Sequence, residues 1–224
     1  MELLTKEHDI VVPGEVLAIG MDYVPGEGTY RIGEKIIANR VGLVNISGRV
    51  IKLIKLSGKY IPKEGDVIIC KVIDITPNGW RLDTNSPYQA MLLIKDATTQ
   101  YIKRGSLNEY FEISDYIVCK VINVTSQKLV DVTMKGPKLR KLKGGRIIKV
   151  NPNKVPRVIG KLGSMVSLIK QATGCKIIVG QNGLIWIDGK PKDVMIAEKA
   201  IKKIEREAHL SGLTESIKTF LKQR

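Results

Sequence analysis

The chain has 224 residues, of which 37 are Lys or Arg and 22 are Asp or Glu, so its formal net charge at neutral pH is +15. It has only two histidines, His8 and His209, and none of its Gly-Lys pairs is followed by Ser or Thr. These counts argue against histidine-based nucleophilic triads, His-Glu-x-x-His metal sites and P-loops. We therefore expect a protein that is not an enzyme.

The positive charge is concentrated at the C-terminal end. The net charge is +1 for residues 1–59 and zero for residues 60–136. Residues 137–224 hold 20 basic and 6 acidic side chains, a net charge of +14. The length exceeds that of one typical domain, and these steps predict three small domains with those boundaries. A basic excess on one domain indicates a polyanionic partner, with a solvated basic surface as the alternative.

The first fifteen residues contain the charged side chains Glu2, Lys6, Glu7 and Asp9, which a secretory leader would not carry. No apolar run reaches the length of a membrane span. We expect a cytoplasmic protein that makes no membrane contact.

Three cysteines, Cys70, Cys119 and Cys175, lie far apart, each in an apolar run typical of a strand. No two of them form a Cys-x-x-Cys pair, so no zinc site is predicted. We expect three buried, reduced thiols and no metal or cofactor.

The first segment consists of short apolar runs separated by turns that contain Gly or Pro. The predicted strands are Glu15–Ile19, Thr29–Ile32, Lys35–Asn39, Val41–Asn45 and Arg49–Leu56. Its near-neutral charge makes this small β-rich domain a poor candidate for binding the polyanionic partner. We interpret it as an assembly module, with a stabilising extension that has no partner as the alternative.

The middle segment predicts five strands with a longer connection between the third and the fourth, the pattern of an OB-fold barrel. The strands are Asp66–Thr76, Trp80–Thr84, Tyr88–Ile94, Tyr116–Val124 and Leu129–Met134. Strand alternation places Trp80 and Leu82 on one face and Arg81 and Asp83 on the other. We therefore interpret Trp80 as a core residue, with a platform on which bases stack as the alternative.

Two tripeptides in this segment, Gly65-Asp66-Val67 and Asn78-Gly79-Trp80, resemble motifs of the S1 type of OB domain, an RNA-binding module. Members that bind RNA strongly on this face have aromatic residues and a histidine where this chain has Asn78, Arg81 and Leu93. The resemblance therefore implies weak, mainly electrostatic contact. The candidate side chains, which are equally compatible with solubilising surface, are Arg81, Lys95, Lys103 and Arg104.

The last segment predicts a strand at Arg146–Val150, a short proline-marked apolar segment, and then the sequence Gly160-Lys161-Leu162-Gly163-Ser164. A helix follows with apolar residues at helical spacing, which Ser164 is predicted to cap and Gly174 to end. Further predicted elements are the strands Cys175–Gly180 and Leu184–Asp188, a helix opened by Pro191, and an amphipathic C-terminal helix that packs on a neighbouring element.

This order of elements, β-α-α-β-β-α with a glycine-flanked pair between the two helices, resembles the KH domain. In that family the loop clamps about four nucleotides of single-stranded RNA. The resemblance implies a binding site formed by Ile159, Gly160, Lys161, Leu162, Gly163, Ser164, Ile177 and Ile178. A tight helix–helix turn with no ligand is the alternative. The basic run Lys138–Lys143 is either part of the RNA approach or a charged interdomain linker.

The order of a small β domain, an S1-type OB-fold and a single KH domain resembles the archaeal exosome RNA-binding cap subunit of the S1–KH kind, over essentially the whole chain. The resemblance implies a non-catalytic component, three copies of which sit on a hexameric ring of RNase-PH-like subunits and thread single-stranded RNA toward 3′→5′ phosphorolytic cleavage. The alternatives are an S1/KH regulator of transcription or translation outside the exosome, and a purely structural ring component.

Overall fold

The computed structural model describes residues 2–56, 58–98, 107–208 and 212–222. The chain divides into two compact units, residues 1–58 and residues 59–224. The second unit contains both the predicted barrel and the predicted domain with the glycine-flanked loop. Each unit is described by itself.

The first unit contains two four-stranded sheets, with strand orders β1-β3-β6-β5 and β2-β7-β8-β4. Their strands are β1 Glu2–Leu3, β2 Ile10–Val11, β3 Val16–Ile19, β4 Val24–Pro25, β5 Thr29–Ile32, β6 Lys35–Ala38, β7 Gly42–Ser47 and β8 Val50–Lys55. Buried side chains from both sheets, among them Leu17, Ile36 and Ile51, form one small core. The five predicted strands are present, whereas the sequence missed β1, β2 and β4, because two residues show no periodicity.

The second unit begins with a closed five-stranded barrel, as predicted. Its strands are β9 Val67–Thr76, β10 Gly79–Asp83, β11 Gln89–Leu93, β12 Tyr116–Val124 and β13 Val130–Thr133. They follow the order β13-β11-β10-β9-β12, and pairing between β12 and β13 closes the barrel. The described part of the connection between the third and fourth strands contains two single-turn helices, α1 Ile94–Ala97 and α2 Leu107–Tyr110.

The core of this barrel confirms the predicted side-chain alternation. Trp80 is fully buried and packs edge-to-face on Phe111, with 5.0 Å between the ring centroids. The thiols of Cys70 and Cys119 lie 3.2 Å apart inside the barrel, and Cys175 is buried as well. Burial raises the pKa of the Cys70 thiol well above its ordinary value, so this sulfur stays protonated and unreactive.

The rest of the second unit has the predicted order of strands and helices. The elements are β15 Arg146–Lys149, α3 Val155–Ile159, α4 Ser164–Thr173, β16 Lys176–Val179, β17 Leu184–Asp188, α5 Pro191–Glu207 and α6 Leu213–Lys222. The strands form an antiparallel sheet with the order β15-β17-β16, and the helices cover one of its faces. The C-terminal helix α6 buries Leu213, Ile217 and Leu221 in this same core, as expected.

The second face of this sheet packs on the barrel. Ile147, Trp186 and Ile178 form one row across the three strands and share an apolar cluster with Ile69 and Val118 of the barrel. The basic run before β15 is not a free linker, because its residues 141–142 form β14, which pairs with β12. The sheet is therefore enclosed between its own helices and the barrel.

A tight turn between β16 and β17 reaches into the barrel and fixes this arrangement. The fully buried side chain of Asn182 donates to the carbonyl oxygens of Ile69 and Thr84 at 2.6 and 2.7 Å, and its Oδ1 accepts the Ile69 N–H at 3.3 Å. A Cβ at Gly180 would lie 2.5 Å from Asn182 Oδ1, and one at Gly183 would lie 2.3 Å from the Val150 oxygen. Only glycine fits at either position.

Replacing Asn182 should loosen the whole second unit. We predict that Asn182→Ala lowers the free energy of unfolding by about 2–4 kcal/mol, because it leaves buried backbone groups of Ile69 and Thr84 without partners. The measurement is urea unfolding monitored by tryptophan fluorescence. The matched control is Asn123→Ala, whose exposed amide donates only to the Asp131 carboxylate and whose loss should cost about 0.5 kcal/mol or less. Equal effects of the two substitutions would contradict the role of Asn182.

Candidate nucleic-acid interface

The glycine-flanked loop joins two helices that meet at a sharp bend. Helix α3 ends at Gly160, whose φ of 75° and ψ of 172° no longer fit a helix. One 3₁₀ turn spans Lys161–Gly163, and α4 begins after Gly163, which has a φ of 78°. Left-handed backbone at both ends is available to glycine at little cost, so the sequence dictates the bend.

The two glycines are required for different reasons. A Cβ at Gly160 would lie 2.7 Å from the backbone nitrogen of Met165 and 2.8 Å from its Cβ, closer than packed atoms tolerate. A Cβ at Gly163 would approach only Val166 Cγ1, at 4.0 Å. Gly160 therefore permits close packing of α3 on α4, whereas Gly163 serves only the backbone angle.

The two residues between the glycines project into solvent. Leu162 is fully exposed and left-handed, with a φ of 52°, and the Lys161 side chain is exposed beside it. The N–H of Gly163 donates to the Gly160 oxygen at 3.1 Å, but the N–H groups of Lys161 and Leu162 have no acceptor in the described part of the chain. Two free donors next to an ammonium group suit a phosphate.

Helix α4 adds the positive end of its dipole to the same loop. The prediction that Ser164 caps this helix is wrong, because Ser164 already has helical angles (φ −58°, ψ −42°) and the N-cap residue is Gly163. The Ser164 side chain is therefore exposed at the loop instead. Gly174 ends the helix as predicted, with a φ of 67° and an N–H that donates to the Lys170 oxygen at 2.8 Å.

The other predicted residues of this site, Ile159, Ile177 and Ile178, are less exposed to solvent than Lys161 and Leu162. Ile159 is half-buried immediately before the loop. Ile177 is only 3% exposed and packs among the helices, and the half-buried Ile178 packs toward the barrel. Ile177 therefore has its side chain directed into the core, away from an open groove. In the described structure β16 is an edge strand of its sheet, so its outer backbone is the part left for a ligand.

One exposed cation near the loop was missed at the sequence level, Arg157 on α3, three residues before Gly160. The signal for Arg157 was present, because the buried residues Val155 and Val158 leave the position between them facing solvent.

The candidates on the barrel are separate from this loop. Arg81 is half-exposed on β10, and its Nη1 lies 3.6 Å from Asp74 Oδ2, so part of its charge is offset. Lys95 is exposed on α1. Lys103 and Arg104 lie outside the described residues.

Comparison with protein families assigns all three segments. Residues 10–47 match the model described as the exosome complex exonuclease RRP4 N-terminal region, residues 59–122 match the RRP4 S1 domain, and residues 145–193 match a KH domain. An exosome complex component Rrp4 of Methanothermus fervidus is 45% identical over 219 residues, covering 98% of this chain and 97% of that protein. The chain belongs to the Rrp4 family of exosome components.

Other similar proteins are also Rrp4 components. The Rrp4 component of Methanothermobacter thermautotrophicus is 43% identical over 98% of this chain and 70% of its own length, and that of Pyrococcus furiosus is 44% identical over 98% and 84%. A solved structure described as an exosome complex RNA-binding protein superposes with a TM-score of 0.67 and 34% identity, covering 74% of this chain and 97% of that one.

In the described ranges of this Rrp4-family chain, the helices are all too short or too polar to cross a membrane.

The unequal surroundings of the two loop glycines lead to a stability prediction. We expect Gly160→Ala to lower the free energy of unfolding by about 2–3 kcal/mol, since a methyl group there forces α3 away from α4. Gly163→Ala adds only the strain of a left-handed alanine, about 1 kcal/mol. Thermal or urea unfolding of the two variants checks the order, and a larger cost at Gly163 would refute this packing.

Proposed function

We propose that this chain is the RNA-binding cap component of an archaeal exosome and that it recruits single-stranded RNA and threads it toward a 3′→5′ phosphorolytic ring. The observation that carries this proposal is the tip of the KH loop. Lys161 and Leu162 are exposed there, their N–H groups have no acceptor in the described structure, and glycines flank them on both sides.

We assign the phosphate contact to this tip. The two free N–H groups and the Lys161 ammonium bind a backbone phosphate, and the N-terminal end of α4 adds favourable potential. Bases of the same strand lie along Ile159 and the open edge of β16. Because these contacts are made to the backbone, they select a single-stranded polyanion with little dependence on base sequence.

The ring contact is assigned to the first unit. Of the 18 large apolar side chains exposed in the described ranges, 11 lie within residues 1–58, including Ile10, Met21 and Ile32. This unit carries little net charge, so protein docking suits its surface better than RNA binding does. We propose that three copies dock on a hexameric ring of RNase-PH-like subunits in the cytoplasm.

In this assembly the chain itself performs no cleavage, and a ring subunit supplies the phosphorolytic chemistry. One KH site binds weakly, but three sites around one entrance raise the local concentration of RNA without new contacts. The alternative function, an S1/KH regulator of transcription or translation, is not favoured, because residues 10–47 match the Rrp4 N-terminal region.

Reversing the charge at the loop tip tests the RNA site without disturbing the glycines. We predict that Lys161→Asp combined with Leu162→Asp weakens binding of single-stranded RNA by at least about tenfold, because two carboxylates then face the phosphate. Fluorescence anisotropy with a labelled oligonucleotide measures the change. We also expect the wild-type chain to leave the RNA intact when the two are incubated with Mg²⁺ and inorganic phosphate.

The chain offers a matched control in its S1 hairpin, where Lys128 and Leu129 form the same exposed dipeptide and Lys128 is also left-handed. Lys128→Asp with Leu129→Asp makes the same change in net charge and should alter affinity by less than about threefold. Equal losses in the two double variants would rule out the KH loop as the site, and degradation by the chain alone would contradict the non-catalytic assignment.

Ring docking is tested separately. We predict that Ile10→Glu combined with Ile32→Glu prevents co-elution with co-expressed RNase-PH-like ring subunits on size exclusion, because charges replace apolar surface that the ring would cover. RNA affinity of the isolated chain should stay unchanged.

The control substitutes two similarly exposed residues of the second unit, Ile113 and Leu129, by Glu. This variant should still co-elute with the ring. Loss of the complex in both variants, or in neither, would contradict docking through the first unit.

A further inference from the structure

We propose that a row of three cations before the KH domain, Lys138, Arg140 and Lys143, is a second RNA contact, which we call the basic strip. It would extend the path of a strand that the KH loop already holds, so this proposal rests on the proposed RNA binding. Three observations carry it: the strip is rigid, its charges are free, and it lies next to the KH sheet.

The strip is rigid from Arg140 onward because its backbone is fixed there at two points. The Val118 N–H of the barrel donates to the Arg140 oxygen at 2.9 Å, and β14 continues this pairing. The indole Nε1–H of Trp186 in the KH sheet donates to the Gly144 oxygen at 2.9 Å. A Cβ at Gly145 would lie 2.6 Å from that same nitrogen, so the chain passes tightly against the indole. Cations held by such a backbone lose less entropy when a ligand binds.

The charges of the strip are directed outward and are not neutralised. Leu139 and Leu142 pack into the apolar cluster between barrel and KH sheet, which leaves Lys138, Arg140 and Lys143 exposed. The nearby carboxylates are occupied by other cations: Asp115 Oδ2 lies 2.5 Å from Lys141 Nζ, and Glu198 Oε2 lies 3.2 Å from Arg146 Nε. Within the described ranges, no carboxylate lies within 4.0 Å of a strip cation.

The strip also lies against the KH sheet. The Arg140 guanidinium carbon is 5.8 Å from the centroid of the Trp186 ring. Trp186 belongs to β17, the middle strand of that sheet, which pairs on its other side with β16. The indole supports one face of the guanidinium, which leaves the other face for a base or a phosphate.

The spacing of the three cations favours an extended strand over a compact anion. Lys138 lies in a turn, with a φ of 69°, whereas Arg140 and Lys143 flank β14 and are about 10 Å apart at about 3.3 Å per residue. Charges spread over this length suit successive phosphates of a single strand better than one compact anion. The occupant that fits is single-stranded RNA of more than the four nucleotides or so that a KH loop holds.

The test compares two lengths of single-stranded RNA, a tetranucleotide and a 20-mer, on the full chain. In the strip variant, Lys138, Arg140 and Lys143 are all replaced by Gln. We expect affinity for the 20-mer to fall about fivefold or more, and the slope of log K against log salt to shrink by about 2, since single strands lose about 0.7 per released phosphate contact. Tetranucleotide affinity should stay within twofold of wild type.

The matched control replaces three exposed lysines away from the strip, Lys63, Lys199 and Lys222, by Gln. Because loss of Arg140 also removes a contact to Trp186, the pair Lys138→Gln and Lys143→Gln is tested as well, and its salt slope should shrink by about 1.4. Circular dichroism melting confirms that each variant folds.

The possible results separate the two proposals. If the strip variant binds the 20-mer like the control variant, the basic strip is not an RNA contact, even where the loop variant Lys161→Asp with Leu162→Asp has lost binding. If the loop variant binds both oligonucleotides like wild type, the proposed function fails and the strip proposal fails with it.

Discussion

The structure of the second unit depends on the contact between the S1 barrel and the outer face of the KH sheet. An isolated KH sheet would leave Ile147, Trp186 and Ile178 in water, and here they pack on Ile69 and Val118 of the barrel. The buried Asn182 amide adds three hydrogen bonds across the same contact. Leaving such groups unpaired would cost about 1–3 kcal/mol each, so the two domains have one preferred arrangement.

This contact gives the proposed RNA loop a fixed position beside the S1 barrel. Two glycines determine the shape of the loop. Gly160 allows α3 to pack on α4, and Gly163 allows a left-handed turn. Between them, Lys161 and Leu162 contribute almost nothing to the fold and are free to contact a ligand. Because the KH sheet is fixed on the barrel, the loop has a fixed direction relative to the S1 domain.

Much of this architecture could be predicted from the sequence, because its elements are set by local signals. The long alternating runs gave the barrel strands to within about a residue, and Gly174 and Pro191 gave the end of α4 and the start of α5. The loop itself was identified from four residues. These features depend on neighbours a few positions apart in the chain.

Apart from the Ser164 cap, the features that the sequence did not show are contacts between distant residues. Nothing in the sequence around Asn182 shows that its amide pairs with Ile69, 113 residues earlier. The basic run was ambiguous for the same reason, since its pairing with β12 is visible only in the folded chain. Ile177 was predicted as part of the RNA site, but its side chain is buried, because the helices pack on that face of the edge strand.

The most direct test of the KH loop assignment is amide NMR of the ¹⁵N-labelled chain during titration with a single-stranded RNA tetranucleotide. We predict that the largest shift changes occur at the N–H groups of Lys161 and Leu162, because these two donors acquire a phosphate acceptor. Saturable binding with changes confined to the S1 barrel, and none at these two amides, would contradict the assignment.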